Sequence, residues 1–128
     1  MSTYFLDRED VLIAGSAAFG SALAVRDFGL LDAAVARPQS SVFGLDAYPD
    51  VWQKAAALLH SIARNHALVD GNKRTAWAAA WVFLGCNGVS LRVDFDVDAA
   101  YELMIEAAIG ETAVPELASA LRFFAASA

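Results

Sequence analysis

An all-α fold is what this sequence predicts: one compact helical domain spanning 1–128, of about six helices around a buried central helix, with a small flap. Three observations carry the prediction. The chain is 128 residues long and 58% apolar, which suits one domain with one core. Alanine dominates the apolar set, and alanine favours helices that pack closely. Only three Pro and eight Gly are present, and no Pro/Gly/Ser-rich linker, internal repeat or low-complexity segment divides the chain.

The elements follow in order. Asp7 to Arg26 reads as a first helix, with Asp7 as cap and Asp10 favouring the first turn through the helix dipole. Leu12, Ala18, Phe19, Ala22 and Leu23 share one broad face of it. Leu30 to Ala36 is a short second helix ended by Pro38. The one long irregular stretch, Arg37 to Pro49, carries Val42, Phe43 and Leu45 among loop residues, which predicts a small hairpin or flap. A third helix starts at Pro49 and runs to about Asn65, with Ala55, Leu58, Leu59 and Ile62 at helical spacing. A fourth runs from Asn72 to Cys86. It is apolar on nearly every side, which places it at the centre. Asn87-Gly88 stops it. After a short extended piece, Val89 to Phe95, a fifth helix spans Asp96 to Ile109, and Thr112 caps a sixth from Val114 to Phe124.

Composition excludes several function classes. Net charge is −6 and the pI is about 4.6, opposite to the basic face a nucleic-acid binder needs, so no direct nucleic-acid partner is expected. Cys86 stands alone, which rules out an intrachain disulfide, and its apolar run predicts burial. The N-terminus lacks a signal-peptide pattern, and the longest near-apolar run, Ala76 to Cys86, is too short for a bilayer. A cytoplasmic protein without membrane contact is expected.

The chemistry concentrates in His66-Ala67-Leu68-Val69-Asp70-Gly71-Asn72-Lys73-Arg74-Thr75. It is a short loop feeding the N-terminus of a buried helix, where unpartnered N–H groups attract anions. Gly71 permits close backbone approach. Lys73 and Arg74 add positive charge at the positive end of the dipole, a local conflict that a bound anion relieves. Asp70 suits two roles equally: helix cap, or holder of Mg²⁺ beside phosphate oxygens. His66, at the end of the third helix, either offsets that helix's dipole or takes a proton from a hydroxyl, since an imidazole titrates near neutrality. His60 has no such setting and is structural.

The run resembles the Doc variant of the Fic signature, His-x-Phe-x-Asp/Asn-x-Asn-Lys-Arg, with Leu68 where the family usually has Phe. Fic proteins themselves have Gly-Asn-Gly-Arg and a further Arg downstream. The likeness extends through Arg37-Pro-Gln39, Lys54-Ala-Ala, Arg64, Thr75-Ala, Phe83-Leu and Asn87-Gly88-Val89. The resemblance implies a Fic/Doc-type helical domain, ATP and Mg²⁺ as cofactors, and transfer to a protein hydroxyl. His66 would be the base and Asp70 the metal holder. Gly71, Asn72, Lys73 and Arg74 would bind phosphate. Arg37, Gln39, Val42 and Phe43 would belong to a flap that aligns the target. Doc-like toxins are associated with moving the terminal phosphoryl group onto a translation factor, elongation factor Tu, so that translation stalls. The alternatives are AMP transfer on the same fold, or a non-catalytic protein-binding member. The inhibitory motif of many Fic proteins, Ser/Thr-x-x-x-Glu-Gly/Asn, is not found; the nearest stretch, Thr112 to Leu117, fails at its last position. The expected partner is therefore a separate Phd-like antitoxin whose C-terminal segment folds as a helix in a groove.

Overall fold

Aspartate side chains start four of the six helices in the computed structural model, which describes residues 2–127. Asp7 opens α1 (Arg8–Phe19) with a capping box: its carboxylate accepts the Asp10 N–H, and Asp10 accepts the Asp7 N–H. Asp27, Asp50 and Asp96 open α2 (Phe28–Ala36), α3 (Val51–Asn65) and α5 (Val97–Ile109) in the simpler one-way form. α4 (Asn72–Cys86) and α6 (Val114–Arg122) begin without a side-chain cap among the described residues. The helical domain with a small flap is thus the observed architecture.

The expected flap is a two-stranded antiparallel hairpin, β1 (Ser41–Val42) and β2 (Leu45–Asp46), paired Ser41 to Asp46 and Val42 to Leu45. Phe43 and Gly44 both have positive φ, 52° and 78°, the backbone of a two-residue turn that matches strand twist. Lys54, buried on α3, donates to Asp46 Oδ2 at 3.1 Å and to the Tyr48 carbonyl, and so ties the hairpin to the helix.

α4 is central, packed between α1 and α3. Ala76, Ala79, Ala80, Phe83 and Leu84 are fully buried on it, facing Ala55, Ala56, Leu59 and Ile62 of α3 in the same core. Small side chains at this crossing let the helices approach. α6 closes the core with Leu117 and Leu121.

Several expectations need correction. α1 ends at Phe19, not Arg26, because Gly20 takes a left-handed conformation (φ 91°) and donates its N–H to the Ser16 carbonyl. Of its expected apolar face, Ala18 and Ala22 are exposed; Val11, Ala14 and Gly15 are the buried positions. α2 ends at Ala36, before Pro38, as expected, but it begins at Phe28 rather than Leu30, and Pro38 lies in a one-turn 3-10 helix, Arg37–Gln39. Ala113, not Thr112, is the α6 N-cap position, and Pro115 fits the first turn. The stretch after α4 contributes one bridge, Leu91 to Ala125, rather than a strand. Cys86 is exposed, because the last turn of α4 emerges from the core. No helix among the described residues is long and apolar enough to cross a membrane.

Candidate functional site

A cavity of about 600 Å³ gathers the whole charged run at one end of α4. His66, Asp70, Gly71, Asn72, Lys73 and Arg74 all line it. The opposite walls are apolar: Phe19 from the end of α1, Trp77 from α4, Phe95, and Tyr101 and Met104 from α5. One cavity therefore offers a cationic anion-binding end and an aromatic interior.

Each side chain is placed for a local reason. His66 is the C-cap of α3 in left-handed backbone (φ 52°, ψ 42°), which turns the chain sharply away from the helix. Ala67 and Leu68 are buried and anchor the loop from behind; Leu68 is 1% exposed and fills the place of the family's Phe. Gly71, at φ 81°, is the N-cap of α4. A Cβ there would stand 2.8 Å from the Phe19 ring, so glycine is needed both for its backbone and for this contact. Asp70 is exposed and accepts the adjacent Gly71 N–H at 2.7 Å through Oδ1. It does not cap α4 in the usual way, toward the second or third helical N–H, and its Oδ2 is left for another partner. The cap role is therefore not the one taken.

Asn72 is engaged within the loop. Its amide bonds both sides of Leu68, accepting the N–H at 3.1 Å and donating to the carbonyl at 3.0 Å. The side chain braces the loop through these two bonds. Lys73 and Arg74 are exposed, and neither is in an ion pair among the described residues. Two free cations thus flank an uncapped helix N-terminus, the arrangement that attracts a multiply charged anion.

Asp70 is a suitable donor for Mg²⁺ held jointly with phosphate. A divalent ion in such sites takes one or two carboxylates plus phosphate oxygens and water. No group of three or more His, Cys, Asp or Glu side chains suited to a metal occurs among the described residues.

The flap residues are not among those lining the cavity. Arg37 is half-buried and engaged at the base of the flap. Its guanidinium donates to the Tyr48 hydroxyl (2.8 Å) and to Ser61 Oγ (2.9 Å), and lies 2.9 Å from His60 Nδ1. It anchors the base of the flap to α3. Gln39, Val42 and Phe43 are exposed, and Phe43 wholly so at the hairpin tip. His60 is structural, as expected; burial, then the Arg37 and Arg64 guanidinium groups, hold its pKa below the usual imidazole value.

Sequence reasoning missed the apolar walls. Trp77 was legible, since it follows Lys73 by four residues and so shares its helix face. Phe95, Tyr101 and Met104 reach the cavity only through tertiary packing, which no local spacing announces.

The family model described as the Fic/DOC family matches residues 3–84. The chain belongs to that family. It is 67% identical over 126 residues to a protein named Toxin Doc from Mycolicibacterium smegmatis, covering 98% of this chain and 97% of the relative. It is also 35% identical over 104 residues to the protein of Escherichia phage P1 named Protein kinase doc, covering 81% of this chain and 79% of that one.

Proposed function

We propose that this protein is the toxin of a toxin–antitoxin pair that transfers the γ-phosphoryl group of ATP to a hydroxyl of a translation factor, elongation factor Tu being the first candidate. The observation that carries the proposal is the convergence, in one cavity, of an exposed imidazole, a half-free carboxylate and an uncapped cationic helix N-terminus. The printed names of the two relatives, a toxin and a protein kinase, support it.

In this scheme the backbone N–H groups at the start of α4, with Lys73 and Arg74, hold the phosphates. Asp70 Oδ2 would hold Mg²⁺, which supplies charge neutralisation on the phosphate oxygens when bound. Phe19, Trp77 and Tyr101 provide faces for the nucleoside. His66 takes the proton from the target hydroxyl as its oxygen bonds to the γ-phosphorus; the bond to the bridging oxygen breaks and ADP leaves. Positioning and charge stabilisation do most of the work in such transfers. Val42 and Phe43 present an apolar tip and a strand edge to the target.

The partner in this proposal is a small antitoxin whose C-terminal segment folds as a helix along α5. Val97, Tyr101, Ile105 and Ile109 recur there every fourth residue and are exposed. This stripe continues the apolar wall of the cavity, and the free Lys73 and Arg74 at the cavity end are complementary to carboxylates on the helix.

ATP labelled separately at the α and γ positions is the test, with purified translation factors as acceptors. γ-label is expected on the target, and His66→Ala should lower the rate by about 10²–10⁴-fold. Nucleotide affinity by calorimetry should be nearly unchanged in that variant. α-label on the target would mean AMP transfer instead, and no label on any factor would sink the proposal.

A further inference from the structure

The motif does not explain why His66 keeps left-handed backbone, which a Cβ disfavours. Such a conformation persists where the surroundings over-determine it. Here the surroundings are the segment 24–27, between α1 and α2, which runs beside the loop. The Arg26 and Asp27 N–H groups both donate to the Ala67 carbonyl, at 2.7 and 3.1 Å. The Val69 N–H donates to the Ala24 carbonyl at 2.9 Å, and Val25 pairs with Leu68 as an antiparallel bridge. On the other flank Asn65 accepts the Ala67 N–H and donates to the Leu30 carbonyl.

The His66 carbonyl receives a side chain. The Arg26 guanidinium donates to it directly, and Arg26 is in no ion pair among the described residues. This carbonyl ends α3, at the negative pole of its dipole, where a guanidinium is favoured. Backbone bonds thus fix the residues after His66, and Arg26 fixes His66 itself.

We propose that Arg26 is a positioning residue for His66: by clamping the His66 carbonyl it holds the left-handed turn and aims the imidazole into the cavity. The inference rests on the proposed role of His66 as base. Arg26→Ala and Arg26→Lys in the full chain test it. The alanine variant should lose roughly ten- to a hundredfold in kcat, the scale of a small misplacement of a reacting group. Its KM for ATP and its thermal midpoint should stay at wild-type values, because the phosphate site and the core are untouched. Lysine, which still donates to one carbonyl, should recover most of the rate. Independently of activity, the backbone chemical shifts of His66 by NMR should lose their left-handed signature in Arg26→Ala and keep it in Arg26→Lys. Unchanged His66 shifts would overturn the inference. So would a fall in kcat that comes with an equal fall in ATP affinity and thermal stability. If the wild type transfers no label, the proposed function falls, and the shifts still decide the role of Arg26.

Discussion

Gly15 illustrates how one atom sets the site. It is buried on α1 where that helix crosses α4, and a Cβ would stand 2.5 Å from Thr75 Oγ1 and 2.7 Å from Leu23 Cδ1. Thr75 is itself fully buried, one helical turn from Gly71, and Phe19 is one turn from Gly15, against Gly71. The close crossing therefore seats the Phe19 wall on the Gly71 end of the cavity. Gly15→Ala is expected to destabilise the fold by about 1–3 kcal/mol through overpacking. The check is the urea midpoint, and an unchanged midpoint would mean the crossing relaxes without cost. That His66, Asp70, Lys73 and Arg74 line one cavity was legible at this scale because they are neighbours in sequence. The side-chain bonds of Asn72 and Arg37 were not. Both are polar residues at expected positions, yet their side chains are consumed by the Leu68 backbone and by the Tyr48–His60–Ser61 cluster. Which polar group satisfies which is decided by packing.

Among the elements, α3 carries both the flap and His66. Its flank holds the flap through the His60–Arg37–Ser61 cluster and Lys54, and its C-terminus presents the imidazole. His60 meets Arg37 directly, and burial together with Arg37 and Arg64 lowers its folded pKa below 6.5. The unfolded chain then binds the proton first as pH falls through about 6.5. The stability that His60 contributes is thus present above that pH and is lost as pH drops toward the folded value. Wild-type protein is expected to lose more stability between pH 7 and pH 5 than His60→Gln, whose side chain can still accept from Arg37 but does not titrate. Denaturant unfolding at the two pH values measures this, and equal losses would refute the coupling. Helix interiors were legible from apolar spacing, and α4 spans Asn72 to Cys86 as its pattern implies; Asp7 marked the start of α1, while Asp27 and Asp50 start α2 and α3 two residues away from the expected bounds. The end of α1 was not legible. The apolar residues Ala22 to Val25 continue a helical composition, but Gly20 ends the helix and the segment turns to brace the loop. A local pattern does not report a backbone bond to a residue some forty positions away.

For the whole molecule, charge is divided unevenly. The chain carries a net −6, yet the cavity end of α4 exposes Lys73 and Arg74 without carboxylate partners among the described residues. In an acidic body, a cationic pit draws anions toward it. The apolar stripe on α5 leads into the same pit, so a helix lying on the stripe would lie beside the entrance and bring its carboxylates to the free cations. In the proposed function such a helix would inhibit by occlusion, without any change in the fold. On this argument Ile105→Asp with Ile109→Asp should leave transfer intact, since neither residue lines the cavity, while weakening the antitoxin strongly. Growth arrest on expression of the wild-type chain should be relieved by co-expression of its small antitoxin, and arrest by the double variant should persist. Purified double variant should label its target at the wild-type rate. If the antitoxin relieves both chains equally, the partner helix lies elsewhere; if the double variant also loses transfer, the stripe serves the reaction itself and occlusion along α5 is the wrong account.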